Sequence, residues 1–188
     1  MSLTYSWLGQ ELALDLANTV IVVRPAEEID GLATTAELAR WLELERDRLG
    51  AAPGSDARLR DFQRLRDAVR SLLTAAAEGV ELPAAAVTAV NRASAAAPSF
   101  AQLRPPAGAV VEARASTPVD AILGAIATSA VELLGGPQRE LIRVCKAPRC
   151  GLYFVAGRAG QQWCSSTCGN RARVARHYAR RAQRAARA

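Results

Sequence analysis

The chain has 188 residues, half of them apolar, and a formal charge of +6; this is enough apolar material for a real core, yet no stretch reaches the roughly 18 uncharged apolar residues that a membrane span needs. The charge is sorted along the chain: all 18 acidic residues lie at or before Glu140, where 13 arginines leave a net −5, while Leu141 to Ala188 carry 11 Lys plus Arg and no acid, a net +11. Solubility alone would not sort the signs, so the basic block points to a polyanionic partner, with nucleic acid as first candidate and an anionic membrane surface as second.

The N-terminal MSLTYSWLGQELALDL places acids where a signal peptide places bases, so the chain is read as a soluble cytoplasmic protein. Leu8, Leu12, Leu16 and Val20 recur at steps of four within Trp7 to Val23. The spacing predicts a helix that turns β-branched, and strand-like, before Pro25. Thr34 or Thr35 opens a second helix, TAELARWLELERDRLG, that Gly50 stops. Residues 57–78 place Leu59, Phe62, Leu65, Val69, Leu72 and Leu73 on one face of a long amphipathic helix. Pro83, at the first helical position, opens AAAVTAVNRASAAA. SFAQLRPPAGAVVEARA, from Ser99 to Ala115, alternates around Pro105-Pro106-Ala107-Gly108 and reads as a two-stranded hairpin. Thr117-Pro118 then starts VDAILGAIATSAVELLGG, so apolar that it belongs at the centre of a core. Composition, charge and cysteine content all change at Gly135 to Gln138, which marks the domain boundary.

All four cysteines follow that boundary: Cys145-x4-Cys150, thirteen residues, then Cys164-x3-Cys168. In a reduced compartment two close pairs of thiols point to metal rather than to disulfides. Four thiolates complete a closed, tetrahedral, structural zinc site and leave no open position for catalysis. Leu152 to Val155, with Gly157 and Gly160 near a turn, suggests a hairpin between the pairs, and Ser165, Ser166 and Thr167 are good caps for a following helix. A knuckle, a hairpin and ligands at a helix N-terminus make a treble-clef order. The helix end is expected to favour thiolate at Cys164 and Cys168. Zinc with four thiolates is formally −2, and Lys146, Arg149 and Arg143 are near enough in sequence to offset it. His177 lies about 13 Å along the helix from Cys168, too far to ligate. The fold class is therefore α+β: a mainly helical body with a small β-hairpin over 1–137, and a treble-clef-like zinc finger over 138–188.

The pair Cys145 and Cys150, followed by WCSSTCGNRAR at Trp163 to Arg173, resembles the CGNR-type zinc finger, named for residues matching Cys168, Gly169, Asn170 and Arg171. Upstream, LGQELALDLANTV, with Asp15, Asn18 and Thr19, resembles the opening of the ABATE domain that usually precedes that finger in bacterial proteins. The two resemblances together cover nearly the whole chain, and they imply a stress-related transcription regulator whose finger binds DNA.

If the chain is helical from Cys168 onward, Arg173, Arg176, Arg180, Arg184 and Arg187 fall in a stripe about 80° wide, a cationic ridge matched to phosphates. Val174, Tyr178 and Ala185 lie on a flank free to pack on the finger or body. Arg171 faces about 160° away from Arg173, which casts Asn170 and Arg171 as residues that tie the helix to the knuckle or body around the metal. Asp15 and Asn18 interrupt an apolar helix and must find partners; they either hold a loop or line a ligand pocket. With one histidine, outside the body, and no phosphate-binding glycine loop, the sequence does not read as an enzyme. The leading expectation is a zinc-containing, DNA-binding regulator whose body senses a small molecule. The alternatives are an RNA- or protein-interaction module, or a small-molecule-binding body with a purely structural finger; self-association is left open.

Overall fold

The structure is a computed structural model that describes residues 8–24, 27–50, 58–103, 105 and 108–185. In chain order its elements are α1 (Leu12–Ala17), β1 (Val20–Arg24), β2 (Glu27–Asp30), α2 (Thr35–Leu44), α3 (Arg46–Leu49), α4 (Leu59–Glu78), α5 (Ala84–Ala96), β3 (Ser99–Leu103), β4 (Ala109–Ala113) and α6 (Pro118–Gly135). A 3-10 turn at Pro137–Leu141 leads to β5 (Ile142–Val144), β6 (Tyr153–Val155) and α7 (Ser166–Ala185). The strands form three separate antiparallel pairs, β1–β2, β3–β4 and β5–β6.

Helix α6 is the axis of the body. Thr117 caps it by accepting from the Asp120 N–H, and Pro118 stands in its first turn, where a missing N–H costs nothing. Ile122, Ile126, Ala127, Ala130 and Leu133 are all buried, and α1, α4 and α5 pack around them. The contact with the end of α5 is close enough that a Cβ on Gly124 would sit 2.4 Å from the Ala97 Cβ. By length and composition α6, with mean hydropathy 1.4, could cross a membrane, but 56% of it is buried in the body. The apolar face of α4, from Phe62 to Leu73, closes the core from another side, as its spacing predicts, and Gly79 ends it in a left-handed cap with φ 71°.

Four elements depart from the sequence reading. The first helix is only Leu12–Ala17; Asn18 and Thr19 turn the chain, and the β-branched run pairs with β2, Val20 facing Asp30. Trp7 lies outside the described residues. The acidic EEID of β2 carries no apolar alternation, and its place is set by α4: buried Arg66 bonds both carboxylate oxygens of Asp30, the longer contact at 2.8 Å, and Arg70 lies 3.6 Å from Glu28. The helix expected through Gly50 breaks at Glu45, which ends α2 and begins α3. The break turns the Glu45 side chain, 2% exposed, into the interior. Thr34 caps α2 with a full capping box to Glu37, and Pro83 is the N-cap of α5 rather than its first helical residue.

The finger shares the core of the body. Ile142 and Tyr153 belong to the same buried cluster as α1, α4 and α6. Asn18, fully buried, donates through Nδ2 to the Tyr153 carbonyl at 3.0 Å and accepts at Oδ1 from the Tyr153 N–H at 2.8 Å. A carboxamide so placed imitates a neighbouring strand and satisfies the outer edge of β6. The Tyr153 hydroxyl bonds Thr74 at 2.7 Å, and the Arg70 guanidinium lies over its ring. At the knuckle, Gly151 holds φ 76°, and a Cβ there would meet Val22 Cγ2 at 2.7 Å.

Asn18→Ala strands a buried N–H and C=O of β6. It should cost about 2–4 kcal/mol, read by urea denaturation, and α4 helicity and metal retention should be lost in one transition.

Candidate functional site

The knuckle is built by backbone hydrogen bonds: the Cys145 N–H donates to Leu152 O at 2.8 Å and the Gly151 N–H to Cys145 O at 3.3 Å. Arg149 at its tip takes a left-handed φ of 60°. β6 then pairs back with β5, Val144 facing Tyr153. The hairpin expected between the cysteine pairs therefore spans the knuckle, and residues 156–165 return as a loop. Ser165 caps α7, its Oγ accepting from the Cys168 N–H at 3.2 Å.

These turns bring Cys145, Cys150, Cys164 and Cys168 together, all four sulfurs within 4.8 Å of one another. Cys150 to Cys164 is 3.7 Å, Cys164 to Cys168 3.6 Å and Cys168 to Cys150 3.7 Å. A tetrahedron with zinc–sulfur bonds of about 2.3 Å has edges of about 3.8 Å, so the cluster is already shaped for one structural Zn²⁺. Three of the sulfurs are buried and Cys164 is half-buried.

Of the groups near the sulfurs in sequence, the helix's own Arg171 and a backbone N–H make the contacts. Arg171 donates from Nη2 to Cys168 Sγ at 2.9 Å, although its side chain is largely exposed. The Cys164 N–H donates to Cys145 Sγ at 3.4 Å. Arg143 instead donates to the carbonyls of Glu140 and Ile142. Hydrogen bonds from the Cys150 and Cys164 thiols lower the Cys145 pKa to about 2. Cys150 is pushed up to about 12, first by its hydrogen bond to Cys145. Cys164 is also driven up, by hydrogen bonds to Cys145 and Cys150 and then by burial. The helix end was expected to lower Cys164; the neighbouring sulfurs raise it instead.

Asn170 takes no part in this cluster. It is exposed and its Oδ1 accepts from Arg173 at 3.0 Å, so the metal-side role expected of the pair falls to Arg171. Along α7 only Cys168 and Ala172 are buried. Arg173, Arg176, Arg180 and Arg184 are exposed on one side, and Arg187 lies outside the described residues. Val174 and Tyr178 are 54% and 65% exposed; the flank expected to pack on the finger or body is bare, because the helix projects past both. His177 is exposed and meets Tyr178 edge to face.

Residues 10–137 match the ABATE family, described as "putative stress-induced transcription regulator". The chain belongs to the ABATE family. Residues 142–181 match the CGNR zinc finger, and no curated protein matches the chain.

The ABATE motif residues are joints. Asn18 holds β6, and Thr19 donates to Leu16 O at 2.7 Å while receiving Arg66 at 3.4 Å. Asp15, fully buried, accepts at Oδ2 from Arg48 at 2.6 Å and from the Gly9 N–H at 3.0 Å. Asp15 Oδ2 and both polar atoms of the Asn18 side chain are thus bound by protein groups, the first of the two roles expected of these residues. Sequence reasoning missed Glu45, whose Oε2 accepts from the same Arg48 at 2.9 Å. One guanidinium serves two buried carboxylates, and among the described residues Asp15 Oδ1 and Glu45 Oε1 have no hydrogen-bond partner. Burial raises the pKa of Asp15; burial, then the Asp15 charge, raises that of Glu45. No periodicity signalled this pair, since Glu45 sits at an apolar step of the helix pattern.

Raised carboxyl values mean that the folded state binds protons more tightly than the unfolded one, so this pair's contribution to stability falls as pH rises through them. Glu45→Gln should therefore gain thermal stability on the wild type as pH rises above the ordinary carboxylate range, read by paired melts. Metal analysis should find about one zinc per chain and none in Cys164→Ser. Chelation should lower the melting temperature of the body helices as well, because Tyr153 is in their core.

Proposed function

We propose that this protein is a zinc-dependent, DNA-binding transcription regulator that acts without catalysis. The observation that carries the reading is α7: its first turn holds a zinc ligand, and its following turns carry Arg173, Arg176, Arg180 and Arg184 exposed. No acidic residue follows Glu140, so nothing in the finger's own sequence neutralises this ridge. A helix of 20 residues is about 30 Å long, and guanidinium groups repeated along it match a row of phosphates. Zinc supplies rigidity; the arginines supply contact. The ABATE body carries the finger, and the description of its family as a transcription regulator agrees with this division of labour.

A sensing role for the body has one supporting feature away from Asp15 and Asn18. Between α1, α3 and α6 lies a cavity of about 420 Å³ lined by Leu12, Arg48, Leu49, Thr128 and Ser129, within the range of small-molecule sites.

Gel shifts of the zinc-loaded protein on duplex DNA at stepped salt should show binding that weakens as salt rises. Arg176→Ala plus Arg180→Ala should reduce the slope of log affinity against log salt by about two. Absence of any shift at low salt would sink the reading.

A further inference from the structure

One groove of the finger is not explained by metal binding or by the exposed ridge. It is a cavity of about 380 Å³ between the knuckle and α7, walled by Lys146 and Gln162 on one side and Trp163 and Arg176 on the other. Its floor includes Ala172, Ala175 and Ala179, three small side chains on one helix face that let a partner's backbone approach closely. None of the residues lining it is acidic, and neither Lys146 nor Arg176 has an ion pair among the described residues.

Arg176 is already held in place. Its Nε donates to the Ala172 carbonyl at 3.4 Å, and its guanidinium lies 5.7 Å from the Trp163 ring centre. Trp163 is held in turn: its carbonyl accepts from Gln161 at 3.0 Å, and a Cβ on Gly169 would sit 3.8 Å from its ring. A cation fixed before binding loses little side-chain entropy on gripping an anion. Both walls adjoin the cysteine cluster, because Lys146 directly follows Cys145 and Trp163 directly precedes Cys164. The backbone bond from the Lys146 N–H to Gln162 O at 3.2 Å joins the knuckle to the loop before α7.

We propose that this groove clamps a backbone phosphate of duplex DNA, with Lys146, Gln162 and Arg176 as its donors, and so sets where α7 enters the DNA. The inference rests on the DNA-binding reading above and adds to it residues of the knuckle that lie off the arginine ridge. A phosphate fits better than a stacked base, because Arg176 covers the Trp163 ring on one side and the Gly169 turn lies against it. Arg176 belongs to both the groove and the ridge, so a strand held here is continuous with Arg180 and Arg184 along the helix.

The test is fluorescence anisotropy of the full zinc-loaded chain on a labelled duplex, titrated with salt. Lys146→Ala should bind about tenfold more weakly and lower the salt slope by about one, Lys146→Arg should restore both, and zinc content should be unchanged. Arg180→Ala, on the ridge outside the groove, serves as the comparison. If Arg180→Ala weakens binding while Lys146→Ala and Gln162→Ala bind as the wild type does, the clamp is wrong and the ridge alone carries DNA binding. If single-stranded DNA or an acidic peptide displaces the probe better than unlabelled duplex, the clamp is wrong and the groove takes that partner. If the wild type does not bind duplex at all, the DNA reading fails and the clamp falls with it.

Discussion

The carboxamide of Asn18 on the backbone of Tyr153 is the contact that makes one structure of the two sequence regions. A strand as short as β6 has β5 on one side and would otherwise expose an unpaired N–H and C=O within the core on the other. Asn is the one short side chain with the donor and acceptor of a peptide unit at the right spacing, and here both are used on one residue. Because Ile142 and Tyr153 are buried with the body's helices, the finger folds against a surface that the body supplies. Its metal then stabilises that surface in return.

From that seam outward the finger becomes progressively less buried. The knuckle rests on β1 through Gly151, the sulfurs sit beneath it, and α7 leaves the metal with two buried residues in its first two turns and none beyond. A free helix of this composition would be marginal in water, since its arginines repel and its apolar flank has nothing to cover. Anchoring the first turn through Cys168, the Ser165 cap and the Arg171 contact with sulfur gives it a fixed origin and direction. Zinc with four thiolates is an anionic centre, and a helix dense in arginine beginning there is electrostatically matched to it.

The body treats charge in the opposite way. Arg66 is drawn inward to Asp30, and Arg48 reaches in from the surface to the buried Asp15 and Glu45, whereas the finger's cations stay at the surface. Buried pairs of this kind add little net stability, because desolvation offsets attraction. They do fix geometry: Arg66 places an acidic strand that has no apolar face of its own, and Arg48 joins the break between α2 and α3 to α1. Asp15, Asn18 and Thr19, three residues within five positions, thereby reach α3, β6 and α4.

What the sequence determined by itself is what local chemistry decides. The zinc ligands were legible because four thiols in two close pairs have few other uses. α4 and α6 were legible because periodicity and caps are written within one segment, and β3–β4 because alternation flanks a breaker. The arginine stripe on α7 follows from helical spacing alone. Tertiary structure decided whatever needs a partner distant in sequence. Asn18 reads as an anomaly in a helix until Tyr153, 135 residues later, comes into place. β2 needs Arg66, the break at Glu45 needs Arg48 and Asp15, and the groove at Lys146 exists only because the knuckle packs against the loop before α7. Spacing along a chain fixes which face a residue shares, but a buried polar group takes its role from what faces it across the core, and that is set only when the helices and the finger pack together.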